Sequence, residues 1–134
     1  MAPETDITRA ARADGHATAV DDGCITFVPA GTSYRLLLQA TGVETGDVRG
    51  TIDATALKVH PARGGGRFIE PVDGEPRIVA GHVRALDESN GRMLVRSVVA
   101  MWITLPDGAD TAALAEGGLV NFHVKSGATF VQDR

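Results

Sequence analysis

From Cys24 onward the chain is written in short runs of Val, Ile, Leu and Phe broken by Gly, Pro, Asp and Asn, and this pattern predicts short strands joined by tight turns. "CITFV" and "SYRLLLQA" flank "PAGT" and read as a hairpin in which Tyr34, Leu36 and Leu38 face inward while Arg35, Leu37 and Gln39 face out. "GDVRGTIDATALKVH" is longer than an ordinary strand and alternates ambiguously, so it predicts a bend or bulge, with Gly50 near its start. Two further runs follow, "RFIEPV" and "PRIVAGHVRAL". The strongest local signal is "HVRALDESNGRMLVRSVVAMWITL": Asn90-Gly91 offers the left-handed backbone that a hairpin reversal requires. "PDGADTAALAEGG" predicts a turn and a short helical or irregular insert. "LVNFHVKSGATFV" then closes the chain, with Val120, Phe122 and Val124 alternating against Asn121, His123 and Lys125.

Residues 1–22 differ in texture, being rich in Ala and charge with Ile7 as the one strong apolar anchor. A segment with so little to bury predicts a flexible N-terminal tail, with a short helix through "ITRAARA" starting near Pro3, Thr5 and Asp6. Residues 23–134 are then one domain of about six or seven strands. Such a sheet exposes edges and an apolar face unless it closes, so the expected fold is all-β, a small closed or partly open barrel with glycine bends at Gly50, Gly81 and Gly64 to Gly66.

Length and charge narrow this further. A chain of 134 residues holds one core of ordinary size, and sixteen glycines agree with many turns. Thirteen Lys and Arg against 17 Asp and Glu give a formal charge of −4, so any polyanion would need a local basic patch. Cys24 is the single cysteine, which rules out an intramolecular disulfide and suits a reducing compartment. The N-terminus lacks the apolar core of a signal peptide and no run approaches a membrane span, so the expected location is cytoplasmic.

From Ala80 onward, the succession of glycine-containing strand, tight hairpin, apolar strand, irregular insert and final "GGLVNFHVKSG" strand resembles the second half of an OB-like Greek-key barrel. It also resembles small uncharacterised bacterial β-barrel proteins of that kind. The resemblance implies a fold and no activity.

Candidate chemistry centres on "VHPARGGGRFIEP". Arg63 and Arg67 bracket Gly64, Gly65 and Gly66, and backbone amides of such a turn can form an anion-binding nest while the guanidiniums add charge-assisted bonds. Neither the Lys-Ser/Thr of a phosphate-binding loop nor a dinucleotide fingerprint is present, so the first expectation is a flexible connection and the second an anion site. Lys58 and His82 extend the possible basic surface, and Phe68 beside the loop is the one aromatic not read as core, a candidate platform for a base. His60, His82 and His123 lie in or beside strands but lack metal-ligand spacing; no metal and no cofactor is expected. Ser126, His123 and Asp133 are close in sequence without any nucleophile motif, so no catalytic residues are assigned.

"SVVAMWITL" is apolar on both faces, which suits a strand covered twice, either by a second subunit or by the N-terminal segment or insert. Val99, Met101 and Ile103 are the expected interface set, with Trp102 inside. The first functional expectation is therefore a non-enzymatic binding or assembly module, self-associating through this strand or meeting a protein partner. The alternative is a small OB-like module binding anions or single-stranded nucleic acid through Lys58, Arg63, Arg67, Phe68 and the glycine loop.

Overall fold

The structure is a computed structural model and describes residues 6–133. After a short helix α1 (Asp6–Ala10) come eleven strands: β1 (Ala13–Asp21), β2 (Cys24–Pro29), β3 (Arg35–Gln39), β4 (Gly46–Pro61), β5 (Phe68–Glu70), β6 (Asp73–Gly74), β7 (Ile78–Asp87), β8 (Arg92–Arg96), β9 (Ala100–Thr104), β10 (Leu119–Val124) and β11 (Thr129–Gln132). The fold is mostly β, as the alternation predicts, with more strands than the six or seven expected. Two of the extra ones, β5 and β6, are too short to leave a periodic trace.

The long strand β4 organises everything else. Its second half joins β10, β7, β8 and β9 into a closed five-stranded barrel, with β9 running parallel to β4 and the other pairs antiparallel. Its first half pairs with β1 on one edge and β11 on the other, and β2 and β3 complete a second hydrogen-bonded circuit. Closure leaves few free backbone groups at edges. A single apolar cluster runs through both circuits, from Phe27, Leu36, Ile52 and Phe130 to Val79, Met93, Met101 and Phe122. Phe27 and Phe130 meet with ring centroids 5.1 Å apart.

Tight curvature needs places where backbone passes close to backbone. A Cβ at Gly50 would sit 2.1 Å from the Val131 carbonyl oxygen, and one at Gly81 would sit 2.6 Å from that of Arg96. Both are expected bends, and in both the missing side chain is what lets the strand coil. Gly64 to Gly66 differ, lying in a loop with open space around each.

Two expectations are corrected. Residues 13–21 of the expected tail form β1, which pairs with both β2 and β4. Its alternation of Ala13, Gly15 and Ala17 supplies small inward residues that a search for large apolar anchors overlooks. Residues 1–5 of that tail, including Pro3 and Thr5, and residue 134 lie outside the described residues. Second, the facing of β9 is reversed. Met101 and Ile103 are fully buried and Val99 nearly so, all three in the core cluster, while Trp102 is half-buried on the outside. That outer face is covered by the chain itself, with Ala10 and Ala11 packing against Ala85, Leu94 and Trp102. The apolar set expected at a subunit interface thus lines the barrel interior.

Candidate functional site

The outer wall of the barrel formed by β4, β10, β7 and β5 collects most of the residues singled out from the sequence. Strand β10 presents it simply: Val120, Phe122 and Val124 point inward, leaving Asn121 and His123 exposed. On β4 a bulge does the work. Val124 pairs with Ala56 but His123 pairs with Lys58, so Leu57 is the extra residue. Val48, Ile52, Ala54 and Ala56 point into the core before it, and an uninterrupted strand would send Lys58 and His60 inward too. The bulge reverses the phase, exposing both and turning Val59 toward the core.

Register places the side chains in rows, since directly paired residues share a face. One row runs His60, Asn121, Ala80, Phe68 and the next Lys58, His123, Ile78, Glu70. On the other side of the first, Leu119, His82 and Arg96 form a third. Successive rows are about 7 Å apart, two residues of strand rise. The loop carrying Arg63 and the three glycines leaves β4 at Pro61, where Ala62 N–H still donates to the Leu119 carbonyl. It must then pass the ends of β10 and β7 to reach β5. There the Arg67 Nε–H donates to His82 Nδ1 at 3.0 Å. Arg67, Phe68 and His82 are therefore brought together, with Arg96 beside His82. Lys58 shares the wall at the far side, and Arg63 with Gly64 to Gly66 borders it. Of these glycines only Gly65 has a left-handed φ, +93°.

Ser97 holds this arrangement in place. It is buried at 2% exposure, and its hydroxyl lies 2.6 Å from the Ala80 carbonyl oxygen and 3.1 Å from that of Phe68. One buried donor thus ties β5, and with it Phe68, to β7. Arg96, Ser97 and Asn121 are additions that sequence reasoning missed.

The cations of this wall are not neutralised by protein carboxylates. Arg49 is paired with Asp14, Arg12 with Asp133, Arg35 with Asp73 and Arg92 with Asp87. Among the described residues, Lys58, Arg63, Arg67 and Arg96 take part in no ion pair, and Glu70 is the one carboxylate in the three rows. Another groove, of about 890 Å³, lies between β1, β2 and β4, lined by Arg12, Asp14, His16, Asp47, Arg49 and Asp133. Its arginines already face acids, Arg49 with Asp14 and Arg12 with Asp133, and Asp47 meets His16 Nδ1 at 2.5 Å, so the groove offers an anion no free cation.

Among the described residues three carboxyls are shifted, none of them in the three rows. Desolvation by burial raises Asp53, partly opposed by Arg92. The Ser126 hydroxyl and then the Gly127 amide lower Glu75. Asp87 is lowered by the side chains of Asn90 and Ser89, then Arg92. The residues that sequence proximity grouped as a conceivable triad are dispersed: Ser126 donates to Glu75 at 2.6 Å, and Asp133 faces Arg12. No three His, Cys, Asp or Glu among the described residues stand close enough to hold a metal ion. No described helix is long and apolar enough to cross a membrane.

Comparison with known proteins finds no matching family model, no similar curated protein and no similar solved structure.

Proposed function

We propose that the protein is a non-enzymatic binding module whose basic outer wall takes an anionic ligand, a single-stranded nucleic acid being the class that fits best. The observation carrying this reading is the cluster of Arg67, His82 and Arg96 beside Phe68, flanked across the wall by His60, Lys58 and His123. Guanidiniums free of protein carboxylates suit phosphates. A half-exposed aromatic at the same edge supplies a face for a base, and base stacking is tolerant of sequence. Rows about 7 Å apart let an extended strand meet cations repeatedly, where a compact anion would use one row.

The fold is read here as OB-like. Its support comes from the circuit around the first half of β4: β1, β2 and β3 form a meander, β3 runs parallel to β11, and β4 is antiparallel to both β1 and β11. On this reading the basic wall belongs to the long insertion between β4 and β11, and not to the segment after Ala80 as a separate half-barrel.

The test is a fluorescence-anisotropy titration of labelled single-stranded oligonucleotides at low and moderate salt, using wild type and the Arg63→Ala, Arg67→Ala double variant. Wild type binds at low salt and weakens as salt rises, and the double variant binds more weakly with a shallower salt dependence. Absence of wild-type binding at low salt removes the proposal, and an unchanged double variant moves the site elsewhere.

A further inference from the structure

We infer that the bond between Arg67 and His82 is a proton-controlled clasp on the glycine loop, so that the basic wall exists in a clasped and a released form. The inference rests on the anion-binding reading for its purpose, but its structural part stands alone. Arg67 Nε is always a donor, so the 3.0 Å contact requires His82 Nδ1 to be an unprotonated acceptor, which places the neutral ring's proton on Nε2. A proton arriving at Nδ1 removes the acceptor and sets an imidazolium against a guanidinium.

The charged side chains bonded to His82 or paired with it in register, Arg67 and Arg96, are both cationic. Arg67 faces it from the loop, with Arg63 four residues earlier. Arg96 is its register partner on β8, and Arg84 lies two residues along β7 at a bulge. From β10 the paired residue is Leu119, uncharged, with Glu116 in the loop before it. Phe68 follows from β5, and Glu70 stands two rows away. No carboxylate is paired with His82 to hold a protonated ring against Arg67. The loop behind Arg67 is unhindered, since Gly64, Gly65 and Gly66 have no atoms near where a side chain would be, and three successive glycines leave its backbone the freedom to rearrange. Once unclasped, the Arg67 guanidinium gains its Nε–H as a further donor and the wall gains the His82 charge. Both changes favour an anion, and an anion bound there would in turn favour the protonated ring.

The experiment is heteronuclear NMR on the full chain, ligand-free, from about pH 8 to about pH 5, the range in which imidazoles change charge. Three signals are followed: the His82 ring nitrogens, the Arg67 Nε–H, and backbone relaxation of Gly64 to Gly66. The expected result is an acceptor-type Nδ1 and a slowly exchanging Nε–H at high pH, both lost together as His82 titrates, with faster loop motion. His82→Gln keeps a side-chain acceptor at every pH and should hold the loop clasped throughout, while His82→Ala should leave it released throughout. Loop relaxation indifferent to His82 titration, or a glutamine variant with the wild-type pH response, overturns the clasp. Oligonucleotide affinity of wild type should rise about tenfold over the same range, with most of that rise absent in His82→Gln. If wild type binds no oligonucleotide at either pH, the anion-binding reading fails while the ligand-free signals still decide the clasp.

Discussion

The Arg92 guanidinium lies 4.1 Å above the centre of the Trp102 ring, on the outside of the barrel, and strand alternation accordingly sends Met101 and Ile103 inside. This pair decides how β9 tolerates change. Met101→Lys forces an ammonium into a closed apolar interior and should cost about 4 kcal/mol or more, enough to unfold a domain of this size. Trp102→Leu keeps the apolar contact with Leu94 and Ala10 and should cost mainly the cation–π term, about 1 kcal/mol. Chemical denaturation of the two variants checks the order. A folded Met101→Lys protein beside an unfolded Trp102→Leu protein would mean that the faces are the other way round.

The Ser97 hydroxyl between the Ala80 and Phe68 carbonyls yields a second expectation. Ser97→Ala leaves buried acceptors short of a donor and should lower stability by about 1 to 3 kcal/mol. Because the tie also positions β5, anion binding should weaken in a variant that is still folded. A denaturant series for stability and a titration at a temperature where both proteins are native separate the two effects.

The glycines divide into two kinds. Gly50→Ala would put a methyl 2.1 Å from the Val131 carbonyl oxygen and 2.8 Å from the Phe130 ring, an overpacking that should cost about 3 kcal/mol. Gly64→Ala meets nothing within 4 Å and has no left-handed φ among the glycines that do, so its stability should be unchanged or rise by about 0.5 kcal/mol. Thermal melts of the two variants give the comparison.

What the sequence made legible was whatever depends on period and turn chemistry. The inward set of β10, the Leu36 and Leu38 face of β3, and the reversal at Gly91, with φ 63°, all follow from alternation and glycine. Bulges were not legible at the level of register. An extra residue at Leu57 was anticipated only as an irregularity somewhere in a long strand, and that residue is what turns Lys58 and His60 to the surface. Counting back from the Asn90-Gly91 turn pairs Arg96 with Val83. The bulge at Arg84 shifts the partner to His82 and so creates the basic cluster. The facing of β9 differs from the expected one for a related reason. When both faces are apolar, alternation has two solutions, and although the N-terminal segment is one of the expected covers, Ala10 and Ala11 are too small to mark which face they cover.

The shifted carboxyls predict opposite pH responses. Glu75 is held low by Ser126 and Gly127, so its contribution is present above the ordinary glutamate range and is lost as pH falls through its lowered folded value. Glu75→Gln should therefore flatten the acid side of a melting-temperature profile. Asp53 is raised by burial, so its ionised form opposes folding at neutral pH, and that opposition fades as acid protonates it. Asp53→Asn should be stabilising near neutrality and lose its advantage in acid. Melting temperature against pH for the two variants carries the test, and parallel profiles would contradict both assignments.

Amide chemical-shift mapping addresses most directly whether the outer wall of β4, β10, β7 and β5 is the binding surface that we propose. Unlabelled oligothymidylate of about ten nucleotides, a length typical of single-strand-binding sites, is titrated into isotopically labelled protein at low salt. On that proposal the expected shifts concentrate at His60, Arg67, Phe68, His82, Asn121 and His123 and fade as salt is added. Shifts gathered instead at Gly15, Gly31, Thr32 and Val48 around the ion-paired groove, or none anywhere, would contradict it.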